Sequence, residues 1–390
     1  MRDFPQHLIR RDLRSFAGYS SARTSFAGPP AHIWLNANEA AEANQADPQG
    51  RSRRYPSPQP AELLEALARY LEVAPQYILM SRGSDEAIDV LVRGLCPPGG
   101  PQGVVICSPT FGMYAIAAAL QAVPVHDVPQ IEGGNTFAHD LDQIARTVQE
   151  TGATIVFLAT PDNPTGATID LPKIAALARA VSRQALVVLD EAYAEFAESG
   201  TSATALIDEH PNVAVLRTMS KAHALAGARV GALVAHPELI AVLRRVQAPY
   251  PMPAPVVDLA LSALAPQALQ DTRRRVAETV RLRPRLREVL ASHPSVHTVY
   301  EGEGNFVLAR CATTEEKTGT HGTEAQGADT VLGDAARSGI AVRDMRHLLP
   351  HTVRVSVGTA AEIDALAAAI SSAIPDDDFE TIPAPHGGTP

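Results

Sequence analysis

Of the 33 basic side chains in this 390-residue chain only three are lysines: Lys173, Lys221 and Lys317. A GC-rich genome favours arginine wherever a surface charge is all that is needed. A lysine that persists against that bias can be one whose chemistry arginine lacks, because only an amine condenses with a carbonyl to a Schiff base. Lys173 opens a solvated helix in LPKIAAL and Lys317 lies in a polar stretch. Lys221 instead sits among small and apolar residues in RTMSKAHALAGARVG, with Arg229 eight residues further on. Thirty-one residues before the lysine, LVVLD ends in Asp190. A carboxylate at the tip of a buried apolar strand costs desolvation unless a donor or cation meets it. A protonated pyridinium is one such cation.

Other candidates fall at comparable places. ILMS is followed by RGSDE, which opens a helix near Asp85. The free N–H groups of a helix start can bind an anion, or be met by an ordinary serine cap. TIVFLA runs into TPDNPTG, where Pro164 and Gly166 make a turn and Asn163 projects its amide from the strand end. Turn chemistry alone also accounts for that string. Neither GxGxxG nor GxxxxGK(S/T) occurs, so the dinucleotide and P-loop readings lack their fingerprints. Cys96, Cys107 and Cys311 are odd in number and widely spaced, which predicts no metal site and no disulfide framework and fits a reducing compartment.

The elements that must position these residues alternate. ILMS, VVICS, TIVFLA, LVVLD, VAVLRT and GALVA are short apolar runs of the kind buried on both faces of a sheet. AELLEALARYL, SDEAIDVLVRGL and LPKIAALARAV carry helical spacing between them, so the expectation is α/β with a mainly parallel sheet covered by helices. In such sheets ligands bind at the carboxyl ends of the strands. After APYPMPAPVVD the pattern changes to one long helix over about 256–291, then VHTVY, NFVLAR, IAVR and VRVSV, and a last helix near 360–374. That clustering predicts a smaller α+β domain. The polar stretch between Arg310 and Asp329 reads as an exposed loop. The expected division is an arm over 1–30, a large domain over 31–252, a small domain over 253–376 and a disordered tail over 377–390.

With 43 acidic against 33 basic residues the net charge is −10. An acidic chain without a basic block is a poor nucleic-acid or anionic-membrane binder. The apolar stretches fall short of the ~20 residues of a membrane span, and the start has no signal-type apolar region. A cytoplasmic protein is expected.

Taken in order, SRGSDE, PTFGMY, PDNPTG, VVLDEAY, RTMSKAHALAGARVG and APYP resemble the fold-type-I aminotransferases that use pyridoxal 5′-phosphate (PLP). WLNANE, RYPSPQP, NFVLAR, VRD and VRVSVGT narrow the resemblance to the histidinol-phosphate aminotransferase family, from about Tyr19 to residue 374. The resemblance implies a seven-stranded, mainly parallel sheet between helices plus the smaller domain. It implies that Lys221 carries the cofactor and moves a proton, and that Asp190 pairs with the pyridine nitrogen. Asn163 and Tyr193 would contact the ring's 3-oxygen, and Phe111 would stack on the ring where most members have tyrosine. Ser84, Asp85 and Glu86 would offer N–H groups to the phosphate, completed by Ser220 and Arg229. Tyr55 would reach the phosphate of a second subunit, which implies a homodimer with shared sites.

On the substrate side the resemblance points to Arg354 and Arg343 for anionic groups, with Tyr19 and Asn38 as further contacts. His223, where the family has an apolar or aromatic residue, reads as a packing variant. The implied reaction is transamination of L-histidinol phosphate with 2-oxoglutarate in histidine biosynthesis. Aminotransferases for aromatic or other amino acids, a threonine-phosphate decarboxylase, and a non-catalytic PLP-binding regulator are the alternatives.

Overall fold

The computed structural model describes residues 3–21, 25–26, 31–198, 202–312 and 326–371. Its strands begin with β1 (Ile78–Ser81), β2 (Val104–Ile106), β3 (Val125–Asp127) and a hairpin of β4 (Ile131–Gly133) and β5 (Thr136–Ala138). They continue with β6 (Ile155–Ala159), β7 (Leu186–Asp190), β8 (Val213–Thr218) and β9 (Gly231–Ala235). Seven of these form one sheet in the order β1-β9-β8-β7-β6-β2-β3. β9 runs antiparallel to both neighbours and the remaining pairs are parallel.

The apolar runs alternate between two cores, as a period of two requires. Val187, Leu189, Val213 and Val215 face one cluster, with Ile78 and Met80. Leu186, Val188, Ala214 and Leu216 face the other, with Leu79 and Leu233. Helices cover both sides: α1 (Ala61–Leu71), α2 (Gly83–Leu95), α3 (Met113–Leu120), α4 (Leu141–Thr151), α5 (Leu171–Ala180) and α6 (Pro237–Val246). In α1 the buried stripe is Leu63, Leu67 and Leu71, one residue per turn, and the helix stops at Glu72 in the left-handed region.

The segment expected as one helix over 256–291 is two, α7 (Ala254–Ala263) and α8 (Pro266–Ala291). Pro266 stands at the first turn of α8, where its fixed φ suits a helix start and its missing N–H costs nothing. Beyond it, β10 (Val296–Val299), β11 (Phe306–Cys311), β12 (Arg343–Asp344) and β13 (Thr352–Ser356) make an antiparallel sheet in the order β10-β11-β13-β12. IAVR therefore contributes only Arg343 to a strand. Helices α8, α9 (Gln326–Arg337) and α10 (Ala360–Ser371) bury this sheet's third core cluster. α9 starts before Asp329, so the polar stretch is shorter than expected. Residues 313–325, and the expected tail over 377–390, lie outside the described residues. Among the described residues no helix is long and apolar enough to cross a membrane.

Because β1 is antiparallel to β9 and β9 to β8, the carboxyl ends of β1, β6, β7 and β8 share one edge of the sheet. Gly231, the first residue of β9, meets the start of α2 there. A Cβ on Gly231 would lie 2.5 Å from the carbonyl carbon of Gly83. Gly83 itself has φ +74, and a Cβ there would lie 2.4 Å from the Arg229 guanidinium. These two glycines let the helix start approach Arg229. Gly231→Ala must push α2 off the sheet edge, and we expect a loss of about 1–3 kcal/mol, as for overpacking. Urea unfolding checks this; an unchanged midpoint would show that the helix start can move freely.

Candidate active site

A cavity of about 270 Å³ opens at this shared edge. Each strand end contributes one functional group to its wall. β7 delivers Asp190 and, after a short turn, Tyr193; the loop after β6 delivers Asn163. β8 leads to Ser220 and Lys221, and the turn into β9 presents Arg229. The start of α2 adds Ser84 and Asp85, the segment after β2 adds Phe111, and Arg354 enters from β13 of the small sheet.

Asp190 is buried and accepts from the Tyr114 hydroxyl at 2.9 Å and from the Ala192 N–H at 3.1 Å. Among the described residues it has no ion-pair partner. Burial pushes its carboxyl up to about 6, against the lowering effect of those two donors; Asp162 and Asp85 add to the rise. Tyr114 is fully buried, stacked on Phe157 at 4.8 Å. Burial, followed by the charge of Asp190, holds its phenol well above the usual range, so the hydroxyl stays a donor.

Lys221 experiences the opposite field. Burial first, then Arg354, lower its ammonium, while Asp85 and Asp190 pull the other way. Its Nζ lies 5.5 Å from the Tyr193 ring centroid. Burial pushes the Tyr193 phenol up to about 12. Arg354 donates to Asn163 Oδ1, which leaves the Asn163 amide nitrogen to donate elsewhere. The Arg354 guanidinium also lies over the Phe306 ring at 5.3 Å.

Arg229 lines the cavity beside Ser220 and the start of α2, a set of donors able to hold an anion. It donates to Ser220 Oγ at 3.1 Å and to Asp85 Oδ2 at 2.8 Å, so the Asp85 side chain aims the guanidinium. Thr218 Oγ1 donates to Ser220 Oγ at 2.9 Å and fixes that hydroxyl. Glu86 does not line the cavity as expected. Its carboxylate turns back on the Arg82 N–H at 2.7 Å and on the Arg82 guanidinium, because a carboxylate near the free N–H groups of its own helix start is stabilised there.

Four other expected residues also stay outside this chain's cavity. Tyr19 is exposed and lines a separate cleft with Arg244 and Arg245. Asn38 and Tyr55 lie on adjoining segments held by Glu39, which accepts from the Tyr55 N–H at 2.7 Å and from Arg54. Tyr55 stacks on Tyr250 at 4.7 Å. Arg343 sits on β12 directly across from Arg354 but does not reach the wall. His223 is buried against the Tyr70 ring at 5.1 Å with neither ring nitrogen hydrogen-bonded, which is packing and not a proton path. Of the wall residues not expected from the sequence, Tyr114 and Thr218 carry polar side chains; Ala159, Pro161, Ala192 and Ala226 complete the wall. The one available signal for Tyr114 was a hydroxyl in the otherwise apolar helix MYAIAAAL. Among the described residues no group of three or more metal-ligating side chains occurs.

The family profile of aminotransferase class I and II matches residues 28–370. A histidinol-phosphate aminotransferase of Stenotrophomonas maltophilia (strain R551-3) is 48% identical, covering 94% of this chain and 96% of its own. One of Xanthomonas euvesicatoria pv. vesicatoria (strain 85-10) is 48% identical, covering 90% and 93%. The solved histidinol-phosphate aminotransferase of Sinorhizobium meliloti, in complex with pyridoxal 5′-phosphate, aligns with a TM-score of 0.71 at 26% identity, covering 86% of this chain and 88% of that one.

The raised carboxyl of Asp190 carries a stability consequence for the ligand-free protein. Between the unfolded carboxyl value near 4 and the folded value of about 6, the folded state holds the extra proton. Stability present at low pH is therefore lost as pH rises through 6. Asp190→Asn removes the charge: its Oδ1 still accepts from the Ala192 N–H, while its amide nitrogen donates to the Tyr114 oxygen. The variant should match the wild type near pH 4 and exceed it by roughly 2–3 kcal/mol near pH 7.5. Urea unfolding at the two pH values checks it; an equal gap at both would remove the assignment.

Proposed function

The chain belongs to the aminotransferase class I and II family, and on that premise we propose that it transaminates L-histidinol phosphate with 2-oxoglutarate, using pyridoxal 5′-phosphate. In the biosynthetic direction glutamate gives its amino group and imidazole-acetol phosphate receives it, the transamination step of histidine synthesis. The observation that carries the reading is the meeting of three unlike groups in one cavity: an amine, a buried acid lacking a cation, and an anion cup. An aldehyde, a pyridine nitrogen and a phosphate on one rigid ring are what such a set fits. The identity to relatives of that name, 48% over nearly the whole chain, supports the same substrate.

When bound, the cofactor supplies an electron sink that stabilises negative charge at the substrate Cα. The chain's residues make that sink usable. Lys221 holds the cofactor through its amine, and the lowering of its ammonium by burial and Arg354 favours the free base that this needs. Released, the same Nζ takes the proton from the substrate Cα and delivers it on the product side. Asp190 keeps a proton on the pyridine nitrogen, and Tyr114 keeps Asp190 in place. Tyr193 and the Asn163 amide would donate to the ring's 3-oxygen, and Phe111 would offer an apolar surface to the ring. Arg229, Ser220 and the N–H groups of Ser84 and Asp85 bind the phosphate dianion.

Arg354 binds the anionic end of each substrate, assisted by Arg343 across the ladder. A guanidinium fork suits carboxylate and phosphate alike, so one pair serves glutamate and the phosphorylated amine in turn.

The direct test is the visible spectrum of the PLP-loaded protein before and after adding L-histidinol phosphate with no keto acid. The long-wavelength band should disappear as a pyridoxamine-type band grows, and Lys221→Ala should abolish the change. Arg354→Ala should raise the histidinol phosphate concentration needed by about tenfold or more, the loss of a charge-assisted pair. A band that ignores histidinol phosphate would move the reaction to another amine; no band with added PLP would undo the reading.

The working unit is a homodimer with shared sites in the cytoplasm. The buried thiols of Cys96 and Cys107 support a reducing compartment. Large apolar side chains around the Tyr55 segment support the dimer: Ile33 is 78% exposed and Leu35 91%. In this arrangement Tyr55, and with it Asn38 and Tyr19, act across the interface. Sedimentation should give twice the 41.3 kDa chain mass; a fully active monomer would overturn the shared site.

A further inference from the structure

We infer that Arg217 is a positioning residue: its guanidinium locks the Asp190–Tyr193 segment to the Lys221 segment, and so sets the distance between pyridine anchor and amine. The inference rests on the functional reading above.

The parallel ladder between β7 and β8 ends at the Asp190–Leu216 pair, with a last bond from the Glu191 N–H to the Leu216 carbonyl at 3.0 Å. Beyond that point the two chains part to form the cavity, and no ladder bond between them can hold its width. Arg217 is the first residue past the pairing. It donates to Glu191 Oε2 at 3.2 Å and to Glu195 Oε1 at 2.6 Å. Glu191 follows Asp190 directly and Glu195 stands two residues beyond Tyr193, so one planar fork grips the segment at two points, next to Asp190 and past Tyr193.

The grip is itself anchored. Glu191 also accepts from Ser202 Oγ at 2.6 Å and from the Ala203 N–H at 2.7 Å. Glu195 accepts from the Tyr70 hydroxyl on α1 at 3.0 Å. The Tyr70 ring in turn packs edge-on against His223, two residues after the lysine. Lys221 thus lies between Arg217 and His223, and both rest on the Glu195–Tyr70 pair. This gives the buried histidine a role without any proton transfer.

Stability alone does not account for the cluster. Glu191 is 3% exposed, and Arg217 and Glu195 about 15%. Burying two carboxylates on one guanidinium carries a desolvation penalty that well-packed apolar side chains would avoid. What apolar packing cannot supply is a rigid, directional link between two diverging chains. The guanidinium fork supplies it.

The test uses full-length, PLP-loaded Arg217→Lys, Arg217→Met and Tyr70→Phe, with circular dichroism and melting to confirm the fold. Arg217→Lys keeps the charge and loses the fork. We expect its kcat to fall about ten- to hundredfold, the usual cost of a misplacement near 1 Å, with KM for histidinol phosphate within about twofold. PLP dissociation should rise about tenfold in parallel. Arg217→Met leaves the two glutamates uncompensated, so the pH midpoint of the visible band should move upward as well. Tyr70→Phe should show the kcat loss in smaller measure. Folded variants that melt lower yet keep the wild-type kcat, PLP affinity and band midpoint would overturn the inference. If Arg217→Met does not fold, wild-type values in Arg217→Lys and Tyr70→Phe overturn it equally. A wild-type protein with no visible band would instead undo the functional reading on which it rests.

Discussion

The structure turns on a carboxylate buried without a cation. β7 is buried on both faces, so its last residue, Asp190, emerges in a place water hardly reaches. Two neutral donors, Tyr114 and the Ala192 N–H, orient it without neutralising it. Without a cation beside it this arrangement is unfavourable for the charged form. Against a ring cation the same low polarity would strengthen the attraction, because no solvent screens the pair. Such a site couples ligand affinity to stability, since only the folded chain can hold the ligand.

The lysine completes a matched opposition. Burial and neighbouring cations lower the ammonium of Lys221, while burial and neighbouring acids raise Asp190, so both groups move toward their neutral forms. Environments that push an acid and an amine in opposite senses are how one cavity assigns distinct roles to them at neutral pH. The two segments that carry them diverge from the last shared rung of the β7–β8 ladder, where the Arg217 fork links them.

The sheet was legible in the sequence wherever a strand is buried on both faces. IVFLA, LVVL, VAVL and GALVA have no polar interruption, and Asp190, Asn163 and Lys221 stand out because each comes at or after the end of such a run. β3 and the β4–β5 hairpin were not legible: they are short and half polar, paired through turn geometry and one neighbour. Tyr114 and Thr218 were missed for a related reason. Each looks like filler in its own element, and only the tertiary fold shows where the hydroxyl points. Tyr19, Asn38, Tyr55 and Arg343 came from resemblance alone, and this chain brings none of the four to its own cavity wall.

The substrate side follows a different logic from the cofactor side. Arg343 and Arg354 stand directly opposite one another on adjacent strands, a like-charge pair that is unfavourable in an antiparallel ladder. Neither forms an ion pair among the described residues; Arg354 rests on the neutral amide of Asn163 and on the face of Phe306. An acidic partner would relieve the repulsion, and it would also have to be displaced by every incoming anion. With Arg354 on neutral supports, an anion arriving at it would meet no competing carboxylate among the described residues. Arg354 touches the large sheet's wall through its hydrogen bond to Asn163 and also helps lower the Lys221 ammonium, so a negative charge brought to Arg354 would be felt at both residues.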